Sequence, residues 1–593
     1  MQSIHPNLEQ AVKEEIAYSQ FLAAENLKAS PTELRKQGLS LFPCEITEIR
    51  SGIEGDFYQL ETSFVINNTF FRRGATVLLY IENKSYKARI VELNAYSLLL
   101  FCKEEIEENT REHSVRVDFT PDDRTLECMQ LGLRFLKEQK HLQEFESDFQ
   151  SEKEIQYFQQ PILNDSQQQA VGAILSGELT TVIQGPPGTG KTHTLSSAIE
   201  ELVKRGKKVL ITAPSNTAVD NLCKKLIAAS TPISILRVGN NEKVAADVMP
   251  YTIDAYLDSG KAAQYGQALK KQIQKAEQIA NRHIRNYTKE AGDEKRAARK
   301  ELRELQKELR KLAHDSEQQL IESSSVIAGT PVGLFNQLSK NHSFDVVIMD
   351  EAGQALAPLT WLVASFGKKL VLCGDPQQLP PVVLSSKALQ LGLNKSLLET
   401  VSQLQSPILL NEQYRMSPEI VSVINPYFYQ GQLQTASGIP SGQIQFIDMA
   451  GFGDGETENE TTGSYENRDE LNILRKILET ESLDPKRTVI LAPYSAQIAL
   501  LQKELGSEWK VSTIDAIQGQ EEENIVVSFT RSNPDGIIGF LSDYRRTNVA
   551  ISRTKRACYL IGDSATLGND PFYSELLNEI EQNGVYRSAW EFE

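Results

Sequence analysis

The sequence predicts an α/β protein: two doubly wound parallel sheets, an N-terminal β-barrel on a helical stalk, and a helical hairpin inserted in the first sheet domain. Three observations carry that expectation. Short apolar runs recur between helical stretches from about residue 179 to 561, as buried parallel strands with crossover helices require. Gly185 to Thr192 reads G-P-P-G-T-G-K-T, the phosphate-loop pattern, between one such run and a helix-like spacing. Ahead of these, residues 39–119 break into short strand-like runs separated by turn residues.

The bulk composition is compatible with this. At 593 residues the chain exceeds a single core and has room for about four units of ordinary size. Hydrophobic content of 40% and charged content of 24% are those of a soluble globular protein. No apolar run approaches the ~20 residues that span a bilayer, and Met1 to Glu14 lacks a signal-peptide pattern. Six cysteines lie far apart with no C-x-x-C pair, which argues for a reducing compartment and against a disulfide framework or a cysteine-zinc site. A net charge of −17 argues, on average, against a polyanionic partner.

Taken in order, residues 1–38 read as a helical stalk segment, with Leu8, Val12 and Ile16 at four-residue spacing. Residues 39–119 form the barrel, and Thr120-Pro-Asp-Asp123 starts a helical stalk over 120–156. A first sheet domain covers 157–405 and a second 406–593. In the phosphate loop, glycines let successive N–H groups point at phosphate oxygens, at the positive end of the following helix. Lys191 would reach the β- and γ-phosphates and the Thr192 hydroxyl would ligate magnesium, so the chain binds a nucleoside triphosphate. Upstream, Gln167 in L-N-D-S-Q has an amide that can donate and accept at once, which suits an adenine edge.

Val209 to Ile211 is a buried strand ending in A-P-S-N-T-A-V-D, small polar residues suited to a ligand backbone. Residues 253–322 differ in character. Leucines and other apolar residues at three- and four-residue spacing flank Ala291-Gly-Asp293, an antiparallel helical hairpin. Within 261–312, 15 Lys and Arg face 7 Asp and Glu, a local net of +8. It is either a solvated face or a phosphate-contacting arm, and the sign asymmetry favours the arm. The apolar strand at Val346 to Met349 ends in Asp350 and Glu351: the first to hold magnesium, the second to orient or deprotonate the attacking water. Lys369 to Cys373 ends in G-D-P-Q-Q-L-P-P, where a glutamine could sense the γ-phosphate. Strand candidates then recur at 444–447, 487–491, 524–529 and 557–561, with no second phosphate loop but with Arg415, Arg545, Arg546 and Arg553 next to strand ends. One loop between two sheets implies a sandwiched nucleotide with an arginine finger from the second sheet. Gly451 to Asn467, rich in Gly, Glu and Thr, reads as a flexible surface loop.

With these elements in place the chain resembles superfamily 1 helicases, in the branch of the nonsense-mediated-decay helicase and the immunoglobulin mu-binding helicase. The resemblance spans about residues 39 to 565 and rests on eight ordered motifs: L-N-D-S-Q (163–167), G-P-P-G-T-G-K-T (185–192), A-P-S-N-T-A-V-D (213–220), D-E-A-G-Q-A (350–355), G-D-P-Q-Q-L-P-P (374–381), N-E-Q-Y-R-M (411–416), S-T-I-D-A-I-Q-G-Q-E (512–521) and R-R-T-N-V-A-I-S-R-T-K (545–555). It implies two RecA-like domains and ATP with Mg2+ as cofactors. Gly185, Gly188, Thr189, Gly190, Lys191, Thr192 and His193 would hold the phosphates, with Thr192 and Asp350 on the metal. Gln167 would read adenine, Tyr414 stack on it and Glu521 hold the ribose. Lys191, Asp350, Glu351 and Gln378 as γ-phosphate sensor, with Arg415 and Arg553 as fingers, would be catalytic. Ser215, Asn216, Thr330 and Thr513 match positions that contact the nucleic-acid strand in relatives.

Departures exist: Ser552 and Lys555 stand where relatives often have threonine and arginine. No Cys/His-rich regulatory stretch precedes the core and no extra nucleic-acid domain follows it, so a bare helicase core is expected. The resemblance further implies 5′-to-3′ translocation on single-stranded RNA or DNA, a monomer, a cytoplasmic location and no membrane. The alternative is an ATPase, stimulated by RNA or DNA, that clamps or remodels nucleoprotein complexes without unwinding; protein partners are not specified.

Overall fold

In the computed structural model, alternation of apolar and polar residues over 40–119 closes into a six-stranded antiparallel barrel. Its strands are Ser40–Ser51, Asp56–Thr62, Thr76–Ile81, Lys84–Leu93, Ser97–Cys102 and Val115–Phe119, joined around the barrel first, second, fifth, fourth, third, sixth. Alternate residues point inward, so Val77, Leu79 and Ile81 meet Leu98, Leu100 and Cys102 in one core. The structure describes the chain apart from residues 1–5, 27–30, 37, 52–55, 65, 67–70, 72–74, 82–83, 95, 103–114, 121–122, 152–156, 230–231, most of 260–314, 340, 460–462 and 518. The basic helical hairpin expected within 253–322 lies almost wholly outside the described residues; Ile253–Ser259 at its start is helical.

By internal contacts the chain divides into two units: residues 1–194, 351–362 and 372–593, and residues 195–350 with 363–371. In the first, helix Leu8–Asn26 and stalk helices Asp123–Glu138 and Lys140–Asp148 accompany the barrel. The stalk breaks at Gln139, whose backbone is extended; nothing in the sequence marks that break. Asp148 closes the stalk by accepting from the Thr180 N–H (2.9 Å) and hydroxyl (2.6 Å), at the start of strand Thr180–Gln184.

The C-terminal sheet, also in the first unit, has six strands in the order Lys510–Thr513, Thr488–Ala492, Glu522–Ser528, Thr554–Gly562, Gln443–Asp448 and Val585–Ser588, and its pairings are all parallel. Successive residues face opposite sides. Val489, Leu491, Ile525 and Val527 pack under helices Pro418–Tyr429 and Pro571–Asn583. Ile490, Val526 and Tyr559 pack under Arg468–Thr480 and Ser495–Leu505. A sheet covered on both faces needs apolar residues on both, which is why its central strands were readable as unbroken runs. The edge strands Lys510–Thr513 and Val585–Ser588, which the sequence reading lacks, are partly exposed and polar. Part of the expected flexible loop at 451–467 is instead ordered: Thr457–Asn459 and Ser464–Glu466 pair as an antiparallel ribbon. Glu456 beside it bridges Arg531 (3.0 Å).

The second unit has its own parallel strands in the order Val346–Met349, Val209–Thr212, Val326–Gly329 and Ile235–Arg237, each buried along its length. The fold is therefore α/β with two parallel sheets and a closed N-terminal barrel, as expected. Among the described residues no helix is long and apolar enough to cross a membrane.

Candidate nucleotide site and nucleic-acid contacts

Strand Thr180–Gln184 delivers the phosphate loop and helix Lys191–Lys204 takes the chain away from it. Gly188 (φ +77°) and Gly190 (φ +80°) hold left-handed turns. A Cβ on Gly188 would strike Arg415, and one on Gly190 would strike the Gln167 amide, so glycine is required for conformation and for space. The Thr189 hydroxyl donates to the Pro186 carbonyl (2.8 Å), and the Lys191 ammonium to the Gly185 carbonyl (2.7 Å). Thr192 and His193 follow in the helix's first turn.

Gln167 is buried, and its amide is held at both ends. Its Oε1 accepts the Asn164 N–H (3.2 Å), closing a capping box, and its Nε2 donates to the Thr189 carbonyl (3.1 Å). The Asn164 side chain donates to the Tyr414 hydroxyl (2.9 Å), which donates to Glu412 (2.8 Å). The Tyr414 N–H donates to the Gly188 carbonyl (2.9 Å), leaving a ring 46% exposed beside the loop. The Gln167 amide and the Tyr414 ring thus flank one loop.

Both candidate fingers reach this region from the chain after residue 411. Arg415 donates through Nε to Glu521 (2.7 Å) and through a terminal nitrogen to the Ser552 carbonyl (3.1 Å). Burial would raise the Glu521 carboxyl, but Arg415 and Lys555 (2.9 Å) hold it below the usual carboxylate range. Arg553 is buried and donates to Gln378 Oε1 (3.0 Å). Burial, with the like charge of Arg415 close by, brings its guanidinium down to about 10. The Gln378 Nε2 donates in turn to Asp375 (3.0 Å). Glu351 begins the turn after its strand in a left-handed conformation, φ 51° and ψ 38°. For a non-glycine residue that costs of order 1–3 kcal/mol, a strain that concentrates at functional positions.

In the second unit Asp350 is buried at the end of strand Val346–Met349. Ser215 and Thr330 cap the helices that follow neighbouring strands, accepting from the Ala218 N–H (3.2 Å) and the Gly333 N–H (3.4 Å). A capping hydroxyl keeps its own proton to donate. Asn216 Oδ1 accepts from Arg237 (2.8 Å). Thr513, in the first unit, ends its edge strand and accepts from the Ala516 N–H (3.3 Å).

Residues 162–386 and 393–565 each match a family model described as an AAA domain. DNA polymerase alpha-associated DNA helicase A of Schizosaccharomyces pombe is 30% identical over 463 residues, which cover 73% of this chain and 68% of that protein. The chain belongs to the superfamily 1 helicases. DNA-binding protein SMUBP-2 of Rattus norvegicus is 31% identical over 464 residues, with 73% of this chain and 46% of the relative covered. A Regulator of nonsense transcripts 1 homolog of Arabidopsis thaliana is 31% identical over 453 residues, with 71% and 34% covered. The branch is the one named from the motifs, and the matched region spans about half the length of SMUBP-2 and about a third of the Regulator of nonsense transcripts 1 homolog.

In this site, sequence reasoning missed three residues. Asp375 was legible, since like Asp350 it is an acid at the end of an apolar strand. Asn164 stood within a quoted motif but without a role. Lys555, noted only as a departure, supplies the second cation on Glu521.

Proposed function

We propose that this chain is an ATP-driven translocase and helicase that moves 5′ to 3′ along single-stranded RNA or DNA. One observation supports the reading above the rest: phosphate loop, adenine-side Gln167 and Tyr414, sensor Gln378 and two arginines from distant chain segments converge in one hydrogen-bonded region. Lys191 binds the β- and γ-phosphates. Glu351 orients or deprotonates the attacking water, worth about 10²–10⁴ in rate. Arg415 and Arg553 neutralise charge developing on the transferred phosphoryl group, worth about 10³–10⁵. In the present arrangement Arg415 is engaged by Glu521 and Arg553 by Gln378. ATP would therefore compete for both guanidinium groups, and that exchange couples the nucleotide to the C-terminal sheet.

The donor set fits magnesium: a threonine hydroxyl and an aspartate carboxylate are hard oxygen ligands, and the metal takes one or two of these plus substrate phosphates. Thr192 and Asp350 are the residues proposed to hold it, and the ion would supply charge neutralisation between the phosphates. Ser215, Asn216, Thr330 and Thr513 are proposed to contact the strand backbone. All six cysteines are buried and none is in a disulfide, which supports a cytoplasmic location; a monomer is proposed from the branch.

The test is ATPase rate with and without a short single-stranded oligonucleotide, RNA and DNA in parallel, for the wild type and for Lys191→Ala and Glu351→Gln. Strong stimulation, abolished in both variants, is expected. Hydrolysis indifferent to oligonucleotide would replace the motor with a nucleotide switch. ATPase without strand displacement on a tailed duplex would leave the clamp or remodeller.

A further inference from the structure

We infer that the Tyr429 hydroxyl is a positioning group for ATP hydrolysis: it ties the helix preceding Arg553 to the carboxylate that holds the sensor Gln378. The inference rests on the ATPase reading above and deepens it. Tyr429 is the last residue of helix Pro418–Tyr429 and is buried in the core under the C-terminal sheet. Its hydroxyl donates to Asp375 Oδ2 (2.9 Å) and accepts from Asn548 Nδ2 (3.0 Å). Asn548 lies on helix Arg545–Ser552, which Arg553 ends, and also donates to the Gln377 carbonyl (2.8 Å). Asp375 accepts from Gln378 Nε2 (3.0 Å), the Gln377 N–H (3.1 Å) and Gln184 Nε2 (3.4 Å). Gln184 is the last residue before the phosphate loop.

The Gln378 amide is thus fixed at both ends, by Asp375 at Nε2 and Arg553 at Oε1, and Asp375 is itself fixed by Tyr429. Gln378, Asp375, Tyr429, Asn548 and Arg553 are all buried. A buried polar network holds one geometry only while each member is satisfied. Removing the hydroxyl takes a donor from Asp375 and loosens the Gln378 amide, and a misplacement of about 1 Å at a reacting centre can cost about 10²-fold in rate. The ring is separable from the hydroxyl, because phenylalanine keeps the apolar contacts.

The experiment is Tyr429→Phe in the full chain, measuring Tm, ATP KM, kcat and the pH dependence of kcat. Expected are a kcat lower by about 10- to 100-fold, KM within about twofold, and a folded protein. The acid limb should also move to higher pH. Burial already raises the Asp375 carboxyl, opposed by Lys191 and by hydrogen bonds from Gln378, Gln377 and Tyr429, so losing one donor raises it further. Arg553 also faces Asp375 and Tyr429, and its charge is unchanged by the substitution. Asn548→Ala should act on the same relay, with the double variant no worse than the poorer single one. An active wild type whose Tyr429→Phe variant keeps kcat and its acid limb overturns the relay alone, as does a kcat that falls only with the folded fraction. A wild type that hydrolyses no ATP overturns the relay and the functional reading together.

Discussion

Asn216 shows how a buried residue assigns a polarity to its half-buried neighbour. Arg237 is enclosed in its unit and donates to Asp220 (2.7 Å), to the Val238 carbonyl and to Asn216 Oδ1 (2.8 Å). With its oxygen turned to Arg237, Asn216 has its amide nitrogen left to donate, the polarity a phosphate oxygen requires. Asn216→Asp should stay folded, because a carboxylate also satisfies Arg237, yet bind a single strand about tenfold or more weakly, the effect of about 1.4 kcal/mol of charge repulsion. Fluorescence anisotropy beside a thermal melt checks both. Arg237→Met would leave Asp220 buried without its cationic partner, keeping only the Ala245 N–H (2.8 Å), at a cost of about 3–5 kcal/mol measurable by denaturant unfolding. Glu470 offers a pH test. Burial pushes its carboxyl up to about 8, although the Ser528 hydroxyl and Thr530 N–H donate to it. The native state therefore keeps a proton that the unfolded chain releases near 4.5. Stability from this group falls as pH rises from about 4.5 toward 8. Glu470→Gln should flatten that decline in Tm between pH 5 and 8.5; equal slopes in both proteins would refute it.

Among the elements, helix Leu8–Asn26 meets the stalk through an exposed Glu9–Lys137 ion pair and is held at its middle by the buried carboxylate of Glu15. Glu15 accepts from the Leu384 (2.9 Å) and Ser385 (2.8 Å) N–H groups, a few residues beyond Gln378. Glu15→Ala would strand the buried Ser385 N–H, costing about 1–3 kcal/mol, and free the half-buried Leu384 N–H to water. The expected outcome is faster amide exchange over residues 8–26 and at 384–385, with the C-terminal sheet unchanged. Protection that stays equal in both proteins would show that the apolar packing of Leu8, Val12 and Leu22 suffices.

For the whole molecule the question is how a chain of net charge −17 would bind the polyanion proposed for it. The basic stretch at 261–312 concentrates a net +8 in one segment, and the proposed strand-binding residues Ser215, Asn216, Thr330 and Thr513 are neutral. Replacing 261–312 with a short linker should flatten the dependence of single-strand affinity on salt, by about 0.7 in the log–log slope for each phosphate that is no longer neutralised. An unchanged slope would identify the stretch as a solvated face.

The sequence by itself determined what local chemistry dictates. Glycine spacing marks the phosphate loop, and strands buried on both faces appear as apolar runs, so the sheets were legible. Barrel strands declared themselves by alternation. Other elements left too little signal: Ile235–Arg237 and Ile408–Leu409 are too short to show a period, and the edge strands Lys510–Thr513 and Val585–Ser588 are too polar. Only the tertiary structure decided who partners whom. Arg415 meets Glu521 across 106 residues, Arg553 meets Gln378 across 175, and Tyr429 meets Asp375 across 54. Such pairs carry no local pattern, because sheet order and helix packing bring them together, and burial then makes each hydrogen bond obligatory.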